Sequence, residues 1–394
     1  MTKTEISDAI DAQQKERVHR KTLIRDALPE LPQERGFATI VTGVRRCGKS
    51  TLLEQWMSAS RERCVSVLFD DLRFMDFNTE DFILLGKVIA EREASAVILD
   101  EVQDVVGWER FVNGLLVQGY KVFVTGSNAR LLSAELGTKL TGRHLDLRLR
   151  PFSLSEFRRF TKSRPGLKSL REYLIVGGFP AYVETRNRQV LTELFNDVIY
   201  RDIVVRYKLT NAAPVKTLAG YLLKHAGSKL SPSRLKDAIH VQSAKTVLDY
   251  FNYLTECCLI DRLECYAESD KARMLSNKKV YVCDTGLAGL FETGTEANLG
   301  HKLENLVFQR LKDRGGDLTY FESGEGECDF VRRDGAGTEA VQVCWEIDDD
   351  NRRREFDGLV GAMDYFGLDI GTVVTADQED EVVYKGHRIL VRRF

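Results

Sequence analysis

The sequence predicts an α/β protein whose N-terminal part contains a parallel β-sheet. From residue 38 onward, short apolar runs alternate with amphipathic, helix-like stretches, which is the pattern of parallel strands joined by crossover helices. The runs are ATIVTG (38–43), VSVLFDD (65–71), AVILDE (96–101), KVFVTGSN (121–128) and DLRLRPFS (146–153). Because domains commonly hold about 150 residues, the 394-residue chain is expected to contain two or three of them.

Composition and charge exclude several classes of protein. The chain carries 57 Lys and Arg against 59 Asp and Glu, a net charge of −2, so it is not a polycation overall, although local basic patches remain open. No apolar run approaches the roughly 18–20 residues that span a bilayer, and the polar N-terminus lacks the apolar core of a signal peptide. The 8 cysteines form no CxxC pair, which suits reduced thiols. We therefore expect a cytoplasmic protein without a membrane partner.

The strongest motif is GVRRCGKST at 43–51, which fits the pattern G-x-x-x-x-G-K-[ST] without a mismatch. A predicted strand precedes it and the helix-like run TLLEQWM follows, so its context argues against a chance match. The motif predicts the phosphate-binding loop (P-loop) of a nucleoside triphosphatase. The residues predicted to bind the nucleotide are Gly43, Arg45, Arg46, Cys47, Gly48, Lys49, Ser50 and Thr51.

Each conserved position of this pattern has a chemical reason. Gly43 and Gly48 let the backbone curl so that its amide groups point at phosphates held at a helix N-terminus. Lys49 is predicted to reach the β- and γ-phosphates, and the Ser50 hydroxyl to ligate Mg²⁺. Thr51 is expected nearer the α-phosphate. The predicted cofactors are therefore ATP and Mg²⁺.

An acidic pair ends the third apolar run. Asp100 is predicted to join the Mg²⁺ shell and Glu101 to polarise the attacking water, because a parallel strand delivers its C-terminal residues to the ligand crevice. The alternative is an acidic pair favoured by the dipole of a following helix. The phosphate loop roughly 50 residues upstream favours the functional interpretation.

Two further polar residues follow the fourth run. Asn128, or Ser127 beside it, is predicted to sense the γ-phosphate or the water; a strand-end turn is the alternative. Arg143 is predicted to neutralise charge that develops on the γ-phosphate, within the chain or across a subunit interface. A salt bridge at a helix C-terminus is the alternative for Arg143. The sequence has no guanine-reading Asn-Lys-x-Asp, which favours ATP over GTP.

The motifs along the chain resemble a large prokaryotic family of AAA-type P-loop ATPases that carry a C-terminal domain of unknown function. The resemblance rests on GVRRCGKSTLL, ILDEVQ, TGSN with LTGR, RPFSLSEF, YLIVGGFPAYV, IYRDIVVRY, and GECDF with VQVCWE. It implies an AAA-like parallel sheet, then a winged helix-turn-helix, then a small α/β domain similar to restriction endonucleases. Three helical patterns followed by two apolar runs, at 215–283, independently suggest the winged helix.

The expected organisation has five parts. These are a helical N-terminal lead-in (1–30), an AAA-like P-loop ATPase domain (31–165), a helical linker (166–212), a winged helix-like domain (213–290) and a restriction-endonuclease-like domain (296–394). In the linker, the GGFP run at 177–180 is predicted to form a structural hinge, since two glycines permit an unusual turn and the proline fixes the chain after it.

The resemblance implies positions for a nuclease site in the last domain. They are Glu304 on a helix, Asp329 on a strand, and Gln342-Val343-Cys344 where the nucleases have E-x-K. Cys344 cannot supply the charge of the missing lysine. We therefore expect a nuclease shape without nuclease activity.

Three hypotheses for function follow. The leading one is a Mg²⁺-dependent ATPase with catalytic residues Lys49, Glu101, Asn128 and Arg143, which couples nucleotide state to movement of its C-terminal domains. Its expected partners are nucleic acid, with DNA favoured over RNA, or a protein, and the chain is expected to form homo-oligomers. The alternatives are a nucleotide-switched binding module with little turnover and an ATP-regulated nuclease.

Overall fold

The computed structural model describes residues 1–17, 22–127, 142–292, 298–324 and 326–394. The chain divides into two compact units. The first unit comprises Met1–Phe160 with Glu256–Cys258, and the second comprises Thr161–Thr255 with Leu259–Phe394. Among the described residues, no helix has the length and apolarity that a membrane crossing requires.

The first unit alternates strands and helices along the chain. Its elements are α1 (Lys3–Arg17), β1 (Ala38–Thr42), α2 (Lys49–Ala59), β2 (Cys64–Leu68), α3 (Asp81–Glu91), β3 (Ala96–Asp100), α4 (Trp108–Val117), β4 (Lys121–Gly126), β5 (His144–Arg148) and α5 (Leu154–Thr161). Single 3₁₀ turns at Leu72–Phe74 and Val102–Asp104 follow β2 and β3.

In the described part of this unit the five strands form one parallel sheet in the order β2-β3-β4-β1-β5. The predicted α/β architecture with a parallel sheet is confirmed. Every residue of β1 and β3 is buried, as expected for central strands covered by helices on both faces. Because the strands are parallel, their carboxyl ends meet at one edge of the sheet, where β1 leads into the predicted phosphate loop.

The predicted helical lead-in is wrong over residues 22–30. Helix α1 spans Lys3–Arg17, and the described residues 22–37 form turns and irregular chain. Pro29 and Pro32 lie in this stretch, and proline both lacks an amide donor and clashes with the preceding helical turn. The backbone of this stretch contacts α2, because Gln55 Nε2 donates a hydrogen bond to the Leu23 carbonyl at 2.6 Å.

The second unit begins with helices and ends with a mixed α/β arrangement. Its elements are α6 (Leu167–Val176), α7 (Pro180–Thr185), α8 (Arg188–Asp197), a π-helical stretch (Val198–Val205), α9 (Ala213–Lys224), β6 (Lys229–Leu230), α10 (Pro232–Ala238), α11 (Ala244–Glu256), β7 (Ile260–Cys265), α12 (Asp270–Leu275), β8 (Lys278–Val282), α13 (Thr285–Ala288), α14 (Leu299–Asp313), β9 (Asp317–Ser323), β10 (Gly326–Asp334), β11 (Gly337–Val343), α15 (Arg352–Phe366), β12 (Ile370–Thr375), β13 (Asp380–Tyr384) and β14 (His387–Arg393).

Within the residues described, the strands of this unit form one nine-stranded sheet in the order β13-β14-β12-β11-β10-β9-β7-β8-β6. The pairs β7–β9, β11–β12 and β12–β14 are parallel and the others antiparallel. The β7–β9 pair joins the segment predicted as winged helix to the segment predicted as endonuclease-like. The boundaries at 212, 290 and 296 stay predictions, and the structure holds the three pieces in one compact unit.

The GGFP run makes a close backbone approach within this unit. Gly177 has a φ of +74°, and a Cβ there would lie 2.2 Å from Asp284 Oδ1. The amide of Gly178 donates to Asp284 Oδ2 at 2.6 Å, and the amide of Leu287 donates to Asp284 Oδ1 at 2.9 Å. Only glycine therefore fits at 177, and the turn is fixed to the N-terminus of α13.

Candidate functional site

The loop between β1 and α2 depends on glycine at both ends. Gly43 has a φ of +152°, and a Cβ there would lie 2.2 Å from the Leu149 carbonyl oxygen, which no side chain can approach so closely. The Leu149 amide also donates to the Thr42 carbonyl at 2.7 Å, so the chain after β5 closes over the loop. Gly48, with a φ of +105°, begins α2. The loop thus adopts backbone conformations that L side chains rarely allow.

The three residues inside the loop have different surroundings. Arg46 is exposed and has a φ of +62°, an uncommon conformation for a non-glycine residue. Arg45 Nη1 lies 3.8 Å from Asp70 Oδ2. Cys47 is buried with its thiol 3.5 Å from the Leu149 carbonyl oxygen, and burial raises the pKa of that thiol. Cys47 is therefore a small packing residue of the loop.

Lys49 is almost completely buried, with 4% of its surface exposed. Its Nζ donates to the Gly43 carbonyl at 3.1 Å and to the Val44 carbonyl at 3.5 Å, and lies 3.5 Å from Glu101 Oε1. Burial opposes the charge of Lys49, but attraction to the Glu101 carboxylate outweighs it, so the pKa of Lys49 is raised. A buried ammonium group thus lies inside the loop.

The acidic pair lies where β3 ends. The Thr125 hydroxyl, at the end of neighbouring strand β4, donates to Asp100 Oδ1 and accepts from the Glu101 amide at 3.0 Å. Glu101 has a φ of +54°, a strained conformation of the kind that is found at functional sites. Burial would raise the pKa of Glu101, but Lys49 and a hydrogen bond from Gln103 at 2.8 Å lower it. Both carboxylates are thus held in place by neutral donors.

The oxygen atoms available here as metal ligands fit a small, hard cation. Asp100 is buried, and Ser50 is half-buried in the first turn of α2, so a carboxylate and a hydroxyl oxygen are available. The described residues hold no group of three or more His, Cys, Asp or Glu side chains arranged to bind a metal. Mg²⁺ commonly takes one or two protein ligands and completes its shell with phosphate and water. Thr51 follows Ser50 in the same turn of α2.

Two further predicted site residues remain, Asn128 and Arg143. Asn128 lies outside the described residues, whereas its neighbour Ser127 is buried. Arg143 lies at the amino end of β5, where its carbonyl accepts a hydrogen bond from the Ala38 amide at 3.0 Å. The phosphate loop leaves the opposite end of β1, roughly 16 Å away at about 3.3 Å per residue. The side chain of Arg143 is too short to span that distance, so the structure does not bring Arg143 to the phosphate loop of its own chain.

A buried ion pair beneath the loop was missed by sequence reasoning. Arg25 Nε donates to Glu156 Oε1 at 2.8 Å, and each side chain is only 3% exposed. The guanidinium group also donates to the Cys47 carbonyl at 2.8 Å and to the Arg150 carbonyl at 2.7 Å. A Cβ at Gly48 would lie 2.8 Å from Arg25 Nη1. Arg25 therefore ties the loop to the segment that follows β5.

The second unit brings together the positions predicted for a nuclease site. Glu304 on α14 and Asp329 on β10 are both buried, and the Nζ of Lys279 on β8 lies 3.0 Å from Glu304 Oε1 and 2.8 Å from Asp329 Oδ1. The Asp329 amide donates to Gln342 Oε1 at 3.1 Å. Cys344 is buried, and burial raises the pKa of its thiol to about 12, so it carries no charge. Lys279, which sequence reasoning missed, supplies the positive charge.

One lysine cannot neutralise two buried carboxylates equally. Burial raises the pKa of Asp329 to about 7, although Lys279 acts in the opposite direction. The pKa of Glu304 is lowered, because Lys279 and hydrogen bonds from His301 and Tyr281 outweigh the effect of burial. The Lys279 ammonium group thus occupies the space between the two carboxylates.

Two family models match parts of the chain. The family described as an AAA domain, AAA_14, matches residues 35–158, and a domain of unknown function, DUF8612, matches residues 167–297. The crystal structure of Cdc6p from Pyrobaculum aerophilum is 11% identical and covers 72% of this chain and 91% of its own, with a TM-score of 0.27. A score that low supports no conclusion about fold or function.

Two relatives cover most of the chain. Uncharacterized protein MJ1544 of Methanocaldococcus jannaschii is 30% identical over 355 residues, which is 84% of this chain and 79% of that protein. An uncharacterized protein of Haemophilus influenzae is 28% identical over 353 residues, which is 84% of this chain and 87% of that protein. The predicted combination of an AAA domain with a domain of unknown function is confirmed. The chain belongs to the same family as the Methanocaldococcus jannaschii protein.

Proposed function

We propose that this protein is a Mg²⁺-dependent ATPase that couples ATP binding and hydrolysis to movement of its C-terminal segments on a nucleic acid or a protein partner. The observation that carries the proposal is the buried Lys49 ammonium group, held by the Gly43 carbonyl and 3.5 Å from Glu101. A buried cation at the N-terminus of α2, beside backbone amides, is suited to an anionic phosphate chain.

Each residue at this edge of the sheet has its own proposed role. Loop residues 43–51 supply backbone amides, and Lys49 supplies the positive charge that faces the phosphates. Ser50 and Asp100 would hold Mg²⁺, which when bound neutralises charge on the phosphate oxygens. Glu101 stays ionised because its pKa is lowered, so it can accept a hydrogen bond from the attacking water. Thr125 fixes the acidic pair in both roles.

Residues from elsewhere complete the proposed site. Because Arg143 lies at the amino end of β5, we propose that it acts only on a nucleotide bound by a second copy of the chain. A homo-oligomer follows from that role. Asn128 stays a prediction as the residue that senses the γ-phosphate.

The order of elements in the second unit supports a winged helix there. Helix α9, strand β6, helices α10 and α11, and strands β7 and β8 follow one another, with β8 between β6 and β7. This order fits a helix-turn-helix with a small antiparallel sheet, so we propose a winged helix that contacts nucleic acid, DNA before RNA. Lys229 in β6 forms ion pairs with Glu322 and Glu327. No nuclease activity is proposed, because Lys279 fills the acidic cluster.

Phosphate release from ATP, measured with and without Mg²⁺, DNA and RNA, tests the proposal. We expect Glu101→Gln to lower turnover by at least about 100-fold while ATP still binds, and Lys49→Ala to abolish binding. Glu91→Gln is the matched control, because that carboxylate is 60% exposed and only pairs with Lys3 at the surface. Turnover unchanged in Glu101→Gln would refute the assigned role.

The same assay separates the two proposed modes of action. Stimulation by DNA that is lost in Glu101→Gln supports a nucleic-acid-coupled ATPase. Slow turnover together with a large ATP-dependent change in partner affinity supports the nucleotide-switched module instead. Tight ATP binding without detectable turnover under any of these conditions would refute the hydrolytic part.

A further inference from the structure

A polar pocket of about 110 Å³ lies in the second unit, next to the acidic cluster, with which it shares His301. It is lined by the C-terminal end of α9, the short helix α13 and the first turns of α14. A water molecule takes about 30 Å³ of liquid volume. The pocket is therefore large enough for a ligand of several non-hydrogen atoms.

Thr285 gives this pocket an unsatisfied donor. Its side chain lines the pocket and is 5% exposed. In the part of the chain that the structure describes, its Oγ1 has no hydrogen-bond partner. A buried hydroxyl group is normally paired, because leaving it unpaired costs free energy. The Thr285 hydroxyl is thus an unpaired buried polar group in the wall of the pocket.

The charged side chains around Thr285 favour an anion. Lys302 is 5% exposed, and its Nζ donates to Glu292 Oε2 at 2.9 Å. An ammonium group has three donors, and this bond uses one. His301 Nδ1 lies 3.4 Å from Glu304 Oε2, and that hydrogen bond raises the pKa of His301, so the ring is more readily charged. The pocket wall thus carries two cationic groups, Lys302 paired with Glu292 and His301 paired with Glu304.

The side-chain amide of Asn305, which also lines the pocket, already has hydrogen-bond partners within the protein. Asn305 Oδ1 accepts from the Val282 amide at 2.7 Å, and its Nδ2 donates to the Val282 carbonyl at 3.0 Å. The unmet hydrogen-bonding capacity therefore lies in the Thr285 hydroxyl, which can donate or accept, and in the Lys302 ammonium group, which only donates. A ligand that matches them carries several acceptor oxygens and negative charge.

We propose that this pocket binds a phosphate group, with Thr285 and Lys302 as its donors and His301 as a further positive charge. The phosphate is either free inorganic phosphate or the terminal phosphate of a nucleotide or oligonucleotide. This site uses no residue of the phosphate loop and does not depend on ATP hydrolysis. Glu292 weakens the site, because its carboxylate competes for Lys302 and repels the anion.

Titration calorimetry with inorganic phosphate on the full chain tests the proposal. All variants carry Lys49→Ala, so that phosphate bound at the loop does not contribute. We expect one bound phosphate, an affinity about 5-fold weaker in Thr285→Val, and one at least about 10-fold weaker in Lys302→Met. Glu292→Gln is expected to strengthen binding. Lys312→Met on the exposed side of the same helix is the matched control.

Thr285→Val is expected to weaken phosphate binding and Glu292→Gln to strengthen it. The test therefore stays decisive if one of these variants folds poorly. Phosphate binding that is absent in the Lys49→Ala background, or unchanged by both Thr285→Val and Glu292→Gln, overturns the proposal. Competition identifies the source of the phosphate. Displacement by a 5′-phosphorylated oligonucleotide but not by its dephosphorylated form supports a terminal phosphate, and displacement by neither supports free phosphate.

Discussion

Replacing Arg25 by methionine tests whether the buried ion pair beneath the phosphate loop holds that loop in place. Methionine keeps the length and the apolar stem of arginine but removes the charge and all donors. The substitution deprives Glu156 of its cationic partner and leaves the carbonyls of Cys47 and Arg150 without the bonds they receive. Glu156 keeps the amides of Asp26 and Ser153, each at 2.8 Å.

The expected loss of stability is large because the Arg25–Glu156 ion pair is buried. Removing one partner of a buried ion pair costs about 3–5 kcal/mol of the free energy of unfolding. That loss corresponds to a fall of roughly 6–20 °C in the melting temperature of a unit of this size. Arg159→Met is the matched control from the same segment, because its pair with Asp26 at 2.6 Å has side chains 47% and 43% exposed. An exposed pair of this kind is worth at most about 1 kcal/mol.

Tryptophan fluorescence can report on the first unit alone. Of the 3 tryptophans, Trp56 and Trp108 lie in that unit and Trp345 in the other, so the measurement uses a Trp345→Phe background. Urea unfolding gives the stability, and fluorescence titration gives ATP affinity, which we expect to fall because the Cys47 carbonyl belongs to the loop. A loss no larger than that of Arg159→Met would refute the reasoning.

Three other predictions concern glycine and the acidic cluster. Gly43→Ala should abolish ATP binding in a titration, because its Cβ would lie 2.2 Å from the Leu149 carbonyl, whereas Gly36→Ala, with nothing within 4 Å, should leave binding intact. Lys279→Met should lower the urea-unfolding free energy by about 3–5 kcal/mol, since it strands two buried carboxylates; a loss under 1 kcal/mol would contradict this. The folded-state pKa of Asp329, about 7, exceeds its ordinary value of 3.8, so its contribution to stability is complete below pH 3.8 and is lost as pH rises to 7. Urea titrations across that range should show a fall in stability, of at most roughly 4 kcal/mol, that is smaller in Asp329→Asn; equal slopes would contradict it.

Local pattern made the first sheet and its loop predictable. The buried strands β1 and β3 read as apolar runs, and the glycine spacing at 43 and 48 marks the loop between strand and helix. Asp100 and Glu101 could be predicted to lie near this loop, because the carboxyl ends of parallel strands share one edge of a sheet. Each of these inferences uses residues that are close in sequence.

What could not be predicted depends on residues distant in sequence. Arg25 and Glu156 are 131 positions apart and carry no local signature. Lys279 replaces the missing lysine from a strand 65 positions before Cys344, which only the pairing of β7 with β9 brings near. The position of Arg143 depended on strand order, because β5 runs parallel to β1 and so places its first residues at the far edge.

The continuous nine-stranded sheet limits how this protein can be divided. Strand β7 shares backbone hydrogen bonds with β9, so everything from β6 to β14 is expected to melt as one cooperative block rather than in stages. A chain that stopped before α14 would leave the β7 edge without its partner, and an unpaired edge invites aggregation with other strands. Loss of the segment predicted as endonuclease-like would therefore leave the segment predicted as winged helix prone to aggregate unless another element covered β7.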